Sequence, residues 1–119
     1  MKLPEFSWKV LLAWLLAAFF LIGAIGNIFV SEQISADYAR WGYPGWFHYL
    51  TGSLELITAM LLALKSLRFW GAVLGAVVMI GASSTVVLHR EYAHAIAPLV
   101  VLALSVAVGW WGSKQAQLA

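Results

Sequence analysis

Four long apolar segments, separated by short polar stretches, dominate the sequence. The segments cover about residues 10–30, 47–64, 69–88 and 95–111. Each is near or above the roughly 20 residues that a helix needs to cross a ~30 Å hydrocarbon layer. Their apolar residues are continuous, whereas those of a water-soluble core recur at helical or alternating spacing. The pattern predicts an all-α integral membrane bundle of four transmembrane helices, forming a single domain over residues 1–119.

The first apolar segment also has an alternative interpretation as a signal peptide. Lys2 and Lys9 precede it, and small residues lie near Gly26. The apolar region of a signal peptide is about 7–15 residues long, which is shorter than this segment. The length therefore favours a spanning helix.

The connections differ in length. Residues 65–68 and 90–94 are short enough to make the helices that they join antiparallel neighbours, and residues 31–46 form the one long connection.

The placement of charge predicts the orientation of the bundle. One side carries a single acidic residue, Glu5, and five basic residues: Lys2, Lys9, Lys65, Arg68 and Lys114. The other side carries two basic and three acidic residues: Arg40, Arg90, Glu32, Asp37 and Glu91. Lys and Arg accumulate in cytoplasmic loops. We therefore expect a multi-pass protein of the cell membrane, an inner membrane where there are two, with both termini in the cytoplasm.

The composition excludes several classes of function. Of the 119 residues 63% are hydrophobic and 10% are charged, and the formal net charge is +2, too small and too dispersed for a nucleic-acid-binding surface. The chain has no cysteine, which excludes disulfides, thiolate metal sites and thiol redox chemistry. His89 and His94 are five residues apart and do not share a helix face, so we expect no metal site.

Glu55 is the outstanding polar residue within the apolar segments. It lies about 12 Å along the second segment at 1.5 Å per residue. Because an acidic side chain at a membrane centre costs about 3 kcal/mol, Glu55 should face protein or a water-filled cavity and have a partner. His48, Thr51, Gly52 and Thr58 share its helix face. Alternatively, Glu55 has a structural hydrogen-bonding role and the threonines bond carbonyls of their own helix.

Polar residues of the other segments gather in the same, outer half of the predicted bundle. Asn27 lies near the outer end of the first segment, and four further polar residues follow in the third: Ser83, Ser84, Thr85 and His89. The inner halves are almost purely apolar. This asymmetry predicts an outward-facing pocket instead of a through-pore, with six candidate ligand-binding residues: Glu55, Asn27, His48, Thr51, Gly52 and His89.

Several motifs resemble those of one membrane-protein family. Thr51-Gly52-Ser53-Leu54-Glu55-Leu56, together with the later Leu67-Arg68-Phe69-Trp70-Gly71 turn, resembles the second helix of the DoxX-like proteins and the turn after it. Gly23-Ala24-Ile25-Gly26-Asn27, Gly42-Tyr43-Pro44 and His89 resemble other parts of that family in the same order. Some members are linked to sulfur-compound oxidation with quinone as acceptor, or to membrane oxidoreductase complexes. The resemblance implies a quinone-facing or scaffolding subunit with an oxidoreductase partner and no independent catalytic activity.

Three functional hypotheses follow. The leading one is a small lipophile- or quinone-binding subunit within the lipid bilayer. The second is a proton-coupled exporter of cationic hydrophobic compounds, although small multidrug transporters carry their membrane glutamate in the first helix and this chain carries it in the second. The third is a membrane assembly factor in which Glu55 bonds Asn27 to hold two helices together. A homo-oligomer is compatible with each of the three.

Overall fold

The computed structural model describes residues 8–118, with side chains up to residue 111. Five α-helices occupy this range: α1 (Trp8–Ile28), α2 (Glu32–Arg40), α3 (Phe47–Ala63), α4 (Arg68–Leu88) and α5 (Ile96–Leu118). The described residues contain no strand, which confirms the all-α prediction. Three residues used to predict the orientation lie outside this description: Lys2, Glu5 and the side chain of Lys114.

Three helical segments are long and apolar enough to cross a membrane: Trp8–Ile28, Lys65–Leu88 and Tyr92–Trp111. The remaining apolar helix, α3, has 17 residues. It is therefore about 26 Å long at 1.5 Å per residue, slightly less than the hydrocarbon thickness. Large apolar side chains such as Phe29 and Leu88 are 78% and 79% exposed, as lipid-facing positions would be. These features confirm an apolar helical bundle compatible with a membrane.

The long helices pack in chain order, because α1 contacts α3, α3 contacts α4 and α4 contacts α5. α1 and α5 meet less extensively. Where they do, the rings of Trp8 and Trp111 form an edge-to-face contact with centroids 4.9 Å apart. We call this end of the bundle, which also contains the Lys65–Leu67 3₁₀ turn, the inner end, and the opposite end the outer end. Phe20, Leu62 and Thr58 are fully buried in the core.

Glycines bring α3 and α4 close together near the inner end. A Cβ atom at Gly71 would lie 2.7 Å from the backbone nitrogen of Leu62. A Cβ at Gly75 would lie 2.9 Å from the ring of Phe20. Small residues allow helix backbones to approach in this way in membrane bundles. Farther along α4, a Cβ at Gly81 would have no atom within 4 Å, so open space lies beside this position.

The long connection folds into a cap, residues 31–46, at the outer end. The cap contains α2, which begins after Ser31, whose hydroxyl accepts a hydrogen bond from the Ile34 amide at 3.2 Å. Gly42 adopts φ +84°, a left-handed conformation that glycine permits without side-chain strain. The cap therefore turns back over the bundle before α3 begins.

The outer end of α4 closes with a left-handed residue. Arg90 has φ 60°, and the Glu91 amide donates a hydrogen bond to the Val86 carbonyl at 2.8 Å. The Arg90 amide bonds the Val87 carbonyl at 3.0 Å, which completes a Schellman motif. This reversal positions Glu91 to contact the cap.

Candidate functional site: a capped cavity in the outer half

Close packing of α1 on α3 determines where Glu55 lies. A Cβ at Gly52 would be 2.8 Å from Cγ1 of Ile28 and 3.2 Å from the Ala24 carbonyl oxygen. A Cβ at Gly23 would overlap the Oε2 atom of Glu55. Glycines on both helices therefore allow the Glu55 carboxyl to lie directly on the α1 backbone. The side chain is buried, with Glu55 only 5% exposed.

Asn27 joins three helices through its hydrogen bonds. Its Nδ2 group donates to Oε1 of Glu55 at 2.5 Å and to the Gly23 carbonyl at 3.1 Å. Its Oδ1 atom accepts a hydrogen bond from the Tyr38 hydroxyl at 2.7 Å. Because a carbonyl can only accept, the contact with Gly23 fixes the orientation of the amide. The Asn27 backbone carbonyl also accepts from Nδ1 of His48 at 2.7 Å. Asn27 thus ties α1 to α2 and α3.

A cavity of about 450 Å³ lies beside this network, within the volume range of small-molecule sites. Its lining comes from all five helices and the cap. The polar and aromatic lining residues are Asn27, Asp37, Tyr38, Trp41, Tyr43, Phe47, Thr51, Glu55, Thr85 and His94. The remaining lining residues are Leu54, Val77, Val78, Met79, Gly81, Ala82, Val86 and Pro98. The cavity is thus predominantly apolar, with polar groups grouped at α1, α3 and the cap.

The charge balance of the cavity singles out Glu55. Among the described residues, no Lys or Arg lines the cavity. Asp37 also lines it but has a cation of its own, because Arg40 lies 2.8 Å from its Oδ1. The Oε2 atom of Glu55 accepts no hydrogen bond within the described part of the chain. An unpaired carboxylate in an apolar environment is costly. The arrangement therefore suits a protonated carboxyl that donates a hydrogen bond, or a carboxylate that faces a cationic ligand.

Glu91 fastens the cap to the connection between α4 and α5. Its carboxylate accepts hydrogen bonds from Arg40 Nη2 and Trp41 Nε1, each at 2.8 Å. His94 Nδ1 lies 3.2 Å from the same carboxylate. The hydrogen bond from Arg40, and then that from Trp41, lowers the pKa of Glu91 below its usual range. The cap is therefore held by a charged contact that depends on ionised Glu91.

A second contact connects the cap to α4. The Thr85 hydroxyl donates to the Gly81 carbonyl of its own helix at 2.9 Å. Its single hydrogen is used there, so the Tyr43 hydroxyl must be the donor in the 2.5 Å contact between Tyr43 and Thr85. Thr51 and Thr58 also bond carbonyls of their own helix, at 3.3 Å and 2.7 Å. Each of these three threonines thus bonds a carbonyl of its own helix, as in the alternative interpretation of Thr51 and Thr58 from the sequence.

The six candidate ligand-binding residues occupy different positions. Glu55, Asn27 and Thr51 line the cavity. His48 and Gly52 are buried on the part of α3 that contacts α1, and they do not line it. His89 lies apart from the others. It is exposed at the end of α4, where its Nδ1 atom bonds the Thr85 carbonyl at 2.8 Å.

The cap supplies the lining residues that the sequence did not predict. Tyr38, Trp41 and Tyr43 line the cavity, although their sequence positions beside an apolar segment are equally typical of the aromatic belt at a membrane surface. A usable signal was present, because Ser31 followed by the acidic Glu32 is typical of a helix start within the long connection. A helix there would have brought the aromatic residues back over the bundle.

The described residues contain no group of three His, Cys, Asp or Glu side chains arranged to hold a metal ion.

Comparison with known proteins identifies one relationship. A family model described as the DoxX-like family matches residues 11–108. No curated protein and no solved structure matches the chain. The matched range begins within α1 and ends within α5, so it includes the cap and every residue that lines the cavity. The chain is therefore a membrane protein that belongs to the DoxX-like family.

Proposed function

We propose that this protein binds a small lipophile, with a quinone as the leading candidate, in the cavity of its outer half. The observation that carries the proposal is the environment of Glu55. This carboxyl is 5% exposed, lines an apolar cavity of about 450 Å³, and has one oxygen without a protein hydrogen bond in the described part of the chain. A protonated Glu55 donates that free hydrogen bond to a ligand carbonyl.

The cavity lining is compatible with a quinone. A quinone ring presents carbonyl oxygens, which accept hydrogen bonds, and a flat face, which packs on aromatic side chains. Glu55 supplies the donor, and the rings of Tyr43 and Phe47 stack with centroids 4.2 Å apart at the cavity wall. Because the chain has no cysteine, electrons would pass between the quinone and a partner oxidoreductase. In this proposal the protein is a binding subunit without catalytic activity of its own.

The proposal includes four spans and both termini in the cytoplasm. Lys9, Lys65 and Arg68 lie at the inner end, where positive residues favour the cytoplasmic side. Arg68 also donates from Nε to the Leu62 carbonyl at 2.7 Å, so its charge caps the inner end of α3. At the outer end Arg40 is balanced by Asp37 and Glu91. α3, the shortest long helix, is the fourth span.

Ligand analysis of purified protein tests the proposal. We expect protein prepared in a mild detergent to carry a stoichiometric quinone or lipid that mass spectrometry identifies. Glu55→Ala should lose that ligand. The control is Thr58→Val, a change of similar volume at a buried position that does not line the cavity. It should retain the ligand. Wild-type protein without a ligand, whose unfolding temperature is unchanged by added decyl-benzoquinone, would contradict the proposal.

Export of cationic hydrophobic compounds is a second candidate, favoured because no Lys or Arg from the described part of the chain lines the cavity beside Glu55. An ionised Glu55 would then attract a cationic substrate and release it on protonation. This reading requires Glu55→Gln to abolish resistance to cationic drugs in cells that express the protein. Unchanged resistance would exclude it.

An assembly role is the third candidate, favoured by the hydrogen bonds by which Asn27 connects α1 to α2 and α3. In that case Glu55→Ala mainly lowers the yield of folded protein and dissociates a complex, with an oxidoreductase partner or with further copies of this chain. A variant that stays folded and associated but loses a ligand would favour the first candidate instead.

A further inference from the structure

We propose that the cavity opens sideways into the lipid between the outer halves of α3 and α4, and that the apolar chain of its ligand lies in this opening. We call the opening the lateral gap and define it by Leu54, Val77 and Gly81. The inference rests on the proposed function and deepens it, because it specifies the ligand as an amphiphile with a small polar head and an apolar chain.

Three positions show that the cavity wall is incomplete here. Leu54, Val77 and Gly81 all line the cavity. Val77 is nevertheless 58% exposed, Gly81 is exposed and Leu54 is half-buried. Residues that line a cavity while remaining accessible from outside the bundle mark its opening.

The glycines of α4 differ in the space around them. At Gly71 and Gly75 a Cβ would come within 3 Å of α3 or α1 atoms, so no space remains. At Gly81 a Cβ would meet no atom within 4 Å. The inner contact of α4 is therefore closed, whereas open space lies beside Gly81 in the outer half.

Two other routes into the cavity are obstructed. Toward the inner end, Phe20, Leu62 and Thr58 are fully buried and fill the bundle core. At the outer end the cap is held by the contacts of Arg40 and Trp41 with Glu91. The lateral gap carries no comparable contact among the described residues.

The chemistry along the gap indicates an apolar chain. Its walls are the aliphatic side chains of Leu54 and Val77, and at Gly81 no side chain intrudes. The polar groups lie farther inside, at Glu55 and Asn27. A ligand with its head at Glu55 would therefore extend a chain past Gly81 into lipid, where the chain needs no desolvation.

A pair of matched glycine variants tests the gap. Gly81→Leu places a side chain in it. Gly26→Leu is the control, because a Cβ at Gly26 also has no atom within 4 Å and Gly26 does not line the cavity. Two probes are compared in the same detergent: decyl-benzoquinone, and the same ring with a methyl group in place of the decyl chain. We expect Gly81→Leu to weaken decyl binding at least tenfold and methyl binding less than twofold, and Gly26→Leu to change neither.

Each outcome has a distinct meaning. If Gly81→Leu leaves decyl binding unchanged, or weakens both probes equally, the lateral gap is contradicted while ligand binding stands. If the wild type binds neither probe, the proposed quinone function fails. Should Gly81→Leu fail to fold, Val77→Phe replaces it, because that side chain is already largely exposed and can obstruct the gap without entering the core. It should show the same selective loss of decyl binding.

Discussion

Residue 23 lies where the α1 backbone approaches the carboxyl of Glu55 most closely. A Cβ at this position would overlap Oε2, whereas a Cβ at Gly26, one turn later, would have open space. Gly23→Ala should therefore lower the free energy of unfolding by about 1–3 kcal/mol, as overpacking does. Gly26→Ala should be neutral or stabilising by up to about 1 kcal/mol, because alanine favours helix. Unfolding in mixed detergent micelles measures both.

Comparing Gly23→Ala with Gly26→Ala also separates an effect on protein stability from an effect on ligand binding. If Gly23→Ala is as stable as Gly26→Ala, the Glu55 carboxyl has room to move and is not fixed by α1. If Gly23→Ala is destabilised as expected, its lipophile affinity should fall too, because the new methyl group displaces Oε2 of Glu55, the oxygen that is free to bond a ligand.

Some of the candidate site could be predicted from single residues. Glu55 was identifiable because a carboxyl in an apolar segment needs a partner. Asn27 was identifiable because it is a polar residue in the same outer half of the predicted bundle. Both line the cavity and bond each other. His89 is equally polar, but its ring points back to its own helix, and rotamer choice at a helix end cannot be read from spacing. The assignment of these residues to ligand binding stays a prediction.

The cap is held to the bundle by Glu91, and this makes its order depend on pH. Its hydrogen bond with Arg40, the main cause, lowers the pKa of Glu91. A lowered folded-state pKa adds stability that is present above the ordinary glutamate pKa of about 4.3 and is lost as the pH falls through the folded value. Amide hydrogen exchange of residues 31–46, corrected for intrinsic rates, should show protection that is constant from pH 7 to about 5 and declines below about pH 4.

Glu91→Gln is the control for this experiment. It keeps the shape of the side chain but removes the charge, so protection of the cap should be weaker at pH 7 and should no longer depend on pH in this range. A decline that is identical in Glu91→Gln and in the wild type would assign the effect to other carboxyl groups, and the role of Glu91 would be refuted.

The long helices and the cap were not equally predictable. Continuous apolar runs determine α1, α4 and α5, because a helix in lipid must satisfy all its backbone hydrogen bonds internally. Hydropathy contains no such information about α2, a nine-residue polar helix held by Ser31 and by side chains distant in sequence. The contact of Arg40 with Glu91 spans 51 residues, so only the folded chain brings it together.

Because the chain has no cysteine, single introduced cysteines report the orientation of the whole molecule cleanly. Gly45 lies in the cap and Ser66 in the inner turn, and both are exposed. With both termini in the cytoplasm, a membrane-impermeant maleimide should label Gly45→Cys in intact cells. It should label Ser66→Cys only after the cells are disrupted. The reverse pattern would invert the proposed orientation.

The overall class was predictable because hydropathy alone determines it, and the motif order that suggested the family is confirmed by the match over residues 11–108. The cavity was predictable only as a tendency of polar residues to gather in one half. Its form depends on side chains that five helices and the cap bring together, a geometric relationship that no single segment encodes.

The solid core formed by Phe20, Leu62 and Thr58 has a consequence for where the protein can obtain its ligand. Because these side chains fill the inner half of the bundle, only molecules dissolved in the lipid monolayer on the side of the cap lie at the depth of the opening beside Gly81. A lipophile delivered to the opposite monolayer has to flip across the bilayer first. The protein should therefore sample one leaflet selectively, and the sidedness of a lipid supply should matter to it as much as the total amount.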